Sequence, residues 1–355
     1  MTPATTSTSG AQTAAAKNTN TIQDVPEMFV LAASRHGQRK AGVELAPEKL
    51  LTFCAFSEEA VDPKLTSVVV GEGKKIISTN KNPILRPEAV AATNLKLHDS
   101  IFGTTMELVK KGVLPKILTL GGDHSIAIGS VSAISNIIEK ALEERTPVEF
   151  KKPELIVFWV DAHADINTPT TTSSGNLHGC PVSLLAGLDK KGWAELGCFS
   201  WAKERLESVN TGRESFIQTS RVVYIGLRDV DEPEQETIDR LEMMEYPMTR
   251  FNKEGRNVCK VITDALKTID PRGEHPIHLS FDIDALDPKY APSTGTPVPG
   301  GLKIEEGVEI IKVLGETKRL VSMDLVEVNP SLGTSEDVEE TLRSASKLIE
   351  QFHAV

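Results

Sequence analysis

LIVFWVDAHADIN, residues 155–167, is the stretch on which the fold turns. Six apolar residues without a polar break have the length of a strand, and a strand apolar on both faces belongs in a sheet covered on both sides. The run ends at Asp161, and from there Asp161, His163 and Asp165 alternate with the small Ala162 and Ala164. In an extended chain, a spacing of two places the three polar side chains on one side and the alanines on the other. A buried strand that opens at its carboxyl end into a row of ligand-type side chains is the layout of an α/β protein, whose sites lie beyond the carboxyl ends of parallel strands.

Reading outward, four more apolar runs qualify as strands: KILTL (116–120), RVVYIGL (221–227), IHLSF (277–281) and RLVSMDLV (319–326). Between and around them lie stretches of helical character at 91–112, 126–144, 257–269, 305–318 and 337–353. Alternating strands and helices predict a parallel sheet with helices on both faces. Each strand is followed by a polar cluster: GGDHS (121–125), DAHAD (161–165), RDVD (228–231), DID (282–284) and Glu327. One such cluster would carry little weight, but five strand ends converging on one rim predict a site there.

Composition narrows what the site serves. The 355 residues carry a net charge of −11, which argues against a nucleic-acid partner, since a phosphate backbone calls for a basic footprint. The longest apolar runs fall well short of the roughly 20 residues that span a bilayer, so no membrane partner is expected. Cys54, Cys180, Cys198 and Cys259 lie far apart with no CxxC pair, which points away from a disulfide framework or zinc finger and toward a reducing, cytoplasmic compartment. Residues 1–25 are mostly Thr, Ser, Ala, Asn and Gln and are predicted to be a disordered tail. A mitochondrial presequence is the competing reading, although such segments are Arg-rich and this one has none. Residues 26–355 are predicted to form a single domain.

His124, Asp161, His163, Asp165, Asp282 and Asp284 form the candidate metal constellation. Taken singly, each reads as a turn or helix cap. Together they place two imidazoles and four carboxylates on three strand ends, more negative charge than a protein buries without cations. An oxygen-rich set with some imidazole suits Mn²⁺ better than structural zinc. Six ligands, some shared, suit a pair of ions roughly 3.5–4 Å apart. Two flanking glycines let the chain before His124 pass close to a neighbour.

In this order, GGDHSIAIGS, WVDAHADIN, SGNLHGCP, IGLRDVD, SFDIDALDP, STGTPVPGGL and DLVEVNP resemble the signature set of the arginase family of ureohydrolases. The resemblance spans about 121–330 and implies a three-layer α/β/α fold around a mostly parallel, eight-stranded sheet. It implies two Mn²⁺ per chain, one on His124, Asp161, Asp165 and Asp282, the other on Asp161, His163, Asp282 and Asp284. The reaction it implies is hydrolysis of L-arginine to L-ornithine and urea by a hydroxide bridging the two ions. Asp165 is then the candidate to pass a proton to the leaving amine, His178 the proton shuttle and Glu327 the partner of the guanidinium. Asn167 and Ser174 would bind the α-carboxylate, with Thr172 acting through water. Asp231 would bind the α-ammonium with Glu234 nearby, and Thr296 would line the pocket. A homo-oligomer, a trimer by the same resemblance, is expected.

The metal ligands do not by themselves separate arginase from agmatinase, guanidinobutyrase or formimidoylglutamase. A catalytically dead homologue and a single-zinc deacetylase of related fold are the readings from other classes. The chain departs from the family in two places. LAASRHGQRKAGVELAP (31–47) lacks the usual Pro-Phe and paired glycines, and EPE (232–234) replaces the commoner PGE.

Overall fold

All five predicted strands form, and a short strand is added at each edge of the sheet. The computed structural model describes residues 27–54, 84–143, 154–209, 212–253 and 255–355; the tail expected over 1–25 lies outside them. The strands are β1 (Glu27–Ala32), β2 (Lys116–Gly121), β3 (Ile156–Val160), β4 (Val222–Ile225), β5 (Met244–Tyr246), β6 (Ile277–Asp282) and β7 (Leu320–Val326). They build one sheet in the order β1-β2-β7-β6-β3-β4-β5, with every pair parallel. Seven strands among the described residues are one fewer than the eight expected. The eighth came with the family resemblance and had no residues assigned to it.

The two strands not foreseen are the edge strands. An edge strand meets one neighbour only and needs no uninterrupted apolar run. Accordingly β5 is three residues with a glutamate in the middle, and β1 opens on Glu27, which pairs with Lys116.

Helices cover both faces. On one lie α2 (Pro87–Val109), α3 (Ala127–Glu143), α4 (Pro181–Leu185), α5 (Lys190–Glu195), α6 (Ser200–Glu207) and α7 (Glu232–Arg240). On the other lie α1 (Ala46–Phe53), α8 (Met248–Lys253), α9 (Val258–Ile269), α10 (Ile304–Glu316) and α11 (Ser335–Ala354). The strands alternate accordingly: Val157 and Trp159 of β3 face the first layer, Ile156, Phe158 and Val160 the second. This is the predicted three-layer sandwich. Phe158 and Phe281 are fully buried, and a side chain of that size contributes roughly 1.5–3 kcal/mol when removed from water. The short helices α4 to α8 escaped prediction because they run for only five to nine residues, too few for a periodic apolar face to stand out. No described helix is long and apolar enough to cross a membrane.

The topology places the site. From β3 the chain moves outward to β4 and β5, whereas from β6 it moves the other way to β7, although β3 and β6 are neighbours. Adjacent strands whose connections leave in opposite directions open a crevice at their carboxyl ends. Register levels those ends, with Val160 beside Phe281 and Asp282 beside Val326. Asp161, Asp282 and Glu327 therefore emerge on one rim.

The glycines of GGDHS do what their sequence suggests. A Cβ on Gly122 would lie 1.9 Å from the Ser34 carbonyl oxygen, and one on Gly121 2.7 Å from Val326 Cγ1. Gly122→Ala is therefore expected to lower stability by about 1–3 kcal/mol or more, as overpacking of rigid backbone does. An unchanged urea midpoint would show that the β1–β2 junction tolerates a methyl group.

Candidate metal centre

Each ligand-type side chain is delivered by the residue that ends a strand or by the turn after it. Asp282 is the last residue of β6 and accepts the Asp284 N–H at 2.8 Å, which curls the DID segment and brings Asp284 back to the rim. Asp161 accepts the His163 N–H at 2.7 Å in the same manner. Asp123 caps the turn that carries His124, accepting the Ser125 N–H at 3.0 Å.

His124 sits at the centre. Its Nε2 is held by Ser280 Oγ at 2.9 Å, and its ring stacks on Trp159 with centroids 4.1 Å apart and planes 11° from parallel. Its Nδ1 is 3.1 Å from Asp161 Oδ2, 3.0 Å from Asp165 Oδ2 and 3.2 Å from Asp282 Oδ2. That nitrogen is fully buried, yet none of the three oxygens meets it in hydrogen-bond geometry. A buried ring nitrogen that faces three carboxylates without bonding to any, its other nitrogen being anchored, is what a metal ligand presents.

The second imidazole repeats the pattern. His163 Nδ1 is 3.3 Å from Asp161 Oδ1 and 3.2 Å from Asp284 Oδ2, while its Nε2 lies 3.6 Å from Asp229 Oδ2. Two donor groups result, His124–Asp161–Asp282 and Asp161–His163–Asp284, the donor atoms of each lying within 4.8 Å of one another. Asp161 is common to both. Asp282, expected in both, stands in the first; Asp165 stands outside these groups but approaches His124 Nδ1 as closely as any.

Electrostatics agree with the donor set. Burial, together with the neighbouring Asp161, pushes Asp165 up to about 6. Burial and the charges of Asp284 and Asp161 likewise raise Asp282 well above the carboxylate range. Asp161 itself is fully buried, which opposes its charge, but the His124 and His163 imidazoles beside it hold it low. A cluster this reluctant to ionise is stabilised by divalent cations, so the residues fit a metal pair.

Two of the seven non-glycine residues with positive φ among the described residues lie at this site. Asp165 has φ +50° and Glu327 φ +65°, left-handed conformations that cost a non-glycine residue about 1–3 kcal/mol and cluster at functional sites. Glu327 is held in place by its N–H to Gly122 O at 2.8 Å. Its carboxylate accepts from the His124 N–H at 2.9 Å and from Gln38 Nε2 at 2.7 Å, and it meets His178 Nδ1 at 3.1 Å. Thus His178 and Glu327, predicted to act separately, are in direct contact. Burial disfavours charge on His178, but the Glu327 bond and the charges of Glu327, Asp165 and Asp123 push it up to about 9.

The profile of the Arginase family matches residues 28–354. An arginase from Glaciozyma antarctica is 39% identical over 324 residues, covering 88% of this chain and 83% of its own. Arginase-1 of Oryctolagus cuniculus is 38% identical over 316 residues, covering 88% of each. The solved structure of the arginase from Bacillus caldovelox superposes with a TM-score of 0.73 at 28% identity, covering 93% of this chain and 98% of that one. The chain belongs to the arginase family.

The family's rim residues fall into two groups. Asn167 is buried and donates from Nδ2 to the exposed Asp231 Oδ2 at 2.9 Å, so these two expected contacts form one unit. Thr172 and Ser174 share an exposed loop, Thr172 Oγ1 accepting the Gly175 N–H and Ser174 Oγ the Asn176 N–H, each at 3.2 Å. Glu234 and Thr296 are placed differently. Glu234 is buried and accepts the N–H groups of Ile166, Asn167 and Asp231 at 3.0, 3.2 and 3.1 Å, bracing the loop rather than facing its mouth. Thr296 Oγ1 donates to Asp284 Oδ2 at 2.8 Å, so it steadies a ligand-type carboxylate.

Sequence reading passed over the supports of this family site. Ser280 was the one visible signal, a hydroxyl in an otherwise apolar strand. Trp159, whose Nε1 donates to Asp161 Oδ2 at 3.1 Å, looked like plain core. Arg228 of RDVD spans to the carbonyls of Asp284 at 2.6 Å and Val298 at 2.7 Å, fastening the β6 rim to the 295–301 turn.

Proposed function

We propose that this chain is an arginase, hydrolysing L-arginine to L-ornithine and urea with two Mn²⁺ per chain. The observation that carries the reading is the pair of donor groups sharing Asp161, with the Glu327–His178 pair on the adjoining wall. His124, Asp161, Asp165 and Asp282 would hold one ion and Asp161, His163 and Asp284 the other, with Asp282 shared between them as the family resemblance implies. The oxygen-rich donor set supports manganese over zinc. When bound, a pair of divalent ions supplies a strong nucleophile from water near neutral pH, which the charge-delocalised guanidinium requires.

The protein's own groups do the rest. Glu327, buried and strained, offers a carboxylate to the guanidinium, exchanging its bond with His178 for the substrate. Asp165 lies beside the reacting centre and can take a proton and return it to the leaving amine. His178, whose side chain is 19% exposed, reaches both solvent and Glu327 and can carry protons between them. At the mouth, Asn167 and Ser174 are assigned to the α-carboxylate, Thr172 to a water on it, and Asp231 to the α-ammonium. Glu234 and Thr296 act by positioning Asn167 and Asp284. All four cysteines are free, which supports a reducing, cytoplasmic compartment, and we assign the chain there as a homotrimer whose size sedimentation will test.

Urea release from Mn²⁺-loaded protein with L-arginine, agmatine and guanidinobutyrate side by side tests the function. Agmatine lacks only the α-carboxylate, and a site whose donors are left unpaired rejects such an analogue. Its kcat/KM is expected to be at least ~10²-fold below that of L-arginine, a discount for an exposed rim from the 10⁴–10⁵ of buried sites. Preference for agmatine or guanidinobutyrate would reassign the chain to another ureohydrolase.

A further inference from the structure

The segment Ser34–Lys40 is stitched into the site from below. Its Gly37 N–H donates to Asp123 Oδ2 at 3.1 Å, Gly37 O accepts the His178 N–H at 3.1 Å, and Gln38 reaches Glu327. With Gly37 and Gln38 buried against Asp123, Glu327 and His178, the next two residues, Arg39 and Lys40, emerge exposed at the mouth. Arg39 Nη2 donates to Ser174 O at 3.2 Å, and Lys40 Nζ contacts Gly295 O, so one cation stands on each of two walls. Among the described residues neither has a carboxylate partner, whereas nearby Arg35 is paired with Glu44.

A guanidinium offers five N–H donors in a planar fork matched to a carboxylate. Arg39 commits one of them to a backbone carbonyl of the very residue whose hydroxyl is assigned to the α-carboxylate. Asp231 and Asp229 are exposed on the loop after β4, beside Asn167 and His163. The mouth is therefore polarised, basic at the Ser174 edge and acidic at the Asp231 edge, which suits a zwitterionic head group and not a bare amine.

We propose that Arg39 is a specificity-determining residue that pairs with the α-carboxylate of the substrate at the Ser174 edge of the mouth. The inference rests on the arginase reading and adds a charge to a subsite otherwise built from neutral donors. An exposed ion pair is weak and salt-sensitive, so a change of about three- to tenfold is expected rather than an all-or-none loss.

The test uses the full, Mn²⁺-loaded chain with Arg39→Gln, which keeps a donor for Ser174 O, Arg39→Glu, which reverses the charge, and Arg39→Lys. Arg39→Gln should raise KM for L-arginine about three- to tenfold and Arg39→Glu further, with kcat within twofold and Arg39→Lys, which keeps the charge without the fork, between wild type and Arg39→Gln. Agmatine turnover should not change. Added KCl should raise the arginine KM of wild type more steeply than that of Arg39→Gln, which keeps only the Asp231 pair for salt to screen. Binding of L-ornithine and putrescine by calorimetry gives a readout independent of turnover: Arg39→Glu should weaken ornithine and spare putrescine. An unchanged arginine KM and ornithine affinity in Arg39→Glu would overturn the proposal. So would a parallel fall for arginine and agmatine in Arg39→Gln, which would make the residue a loop latch. Failure of wild type to release urea from arginine would instead strike the arginase reading, and ornithine binding would still decide the role of Arg39.

Discussion

Asp161→Ala is expected to reduce metal content from the proposed two ions to at most one per chain and to lower kcat/KM by about 10³-fold or more. Asp161 is the only residue common to both donor groups among the described residues, with Oδ2 facing His124 and Oδ1 facing His163. Outer partners of a ligand already cost about 10–100-fold when removed, so a ligand serving two ions should cost more. His163→Ala, which touches the second group alone, should retain the first ion and lose less. Stability adds a readout separate from activity. Ions that bind only the folded chain raise its midpoint by mass action, and in Asp161→Ala that Mn²⁺-dependent rise should shrink sharply. The metal-free protein should itself lose some stability, because Asp161 is held ionised beside two imidazoles and accepts the Trp159 Nε1–H and the His163 N–H, so the Mn²⁺-dependent rise is read against each variant's own metal-free midpoint. Two ions per chain and an undiminished rate in the variant would refute the shared-ligand role. So would full activity of wild type after rigorous chelation.

The cluster of candidate ligands was legible as a cluster because two constraints coincide in it. Apolar runs marked the buried strands, and alternation after Val160 and at Asp282 gave His163 and the four aspartates a side of the chain. Long-range support left no such trace. Glu234 looked like a rim residue because EPE opens a polar helix, yet its carboxylate turns inward to collect three N–H groups from two loops. Thr296 lies in a turn, and only the folded chain shows that its hydroxyl serves Asp284. The edge strands were missed for a different reason: β1 and β5 take their register from a neighbour and not from a pattern of their own. Departure from the family at 31–47 also read differently in three dimensions. The missing Pro-Phe and paired glycines do not open the site, since Gly37 and Gln38 still fasten onto Asp123 and Glu327.

His178→Ala should keep two ions per chain and the fold while lowering kcat by about 10²–10⁴-fold, the range typical of lost acid–base assistance. The side chain is 19% exposed, on a short turn whose N–H is fixed to Gly37 O at 3.1 Å. Its contact with Glu327 creates a rival account, in which the imidazole merely balances a buried carboxylate. The two accounts separate in kinetics. If His178 only balances charge, its loss leaves Glu327 free for the guanidinium, so KM falls or holds and kcat changes little. If it moves protons, kcat falls at unchanged KM, and added imidazole restores part of the rate by entering the space the ring has left. A variant that turns over as fast as wild type would return His178 to the role of a loop residue capping Glu327. A slow variant rescued by imidazole would assign to this side chain the path by which the site exchanges protons with solvent.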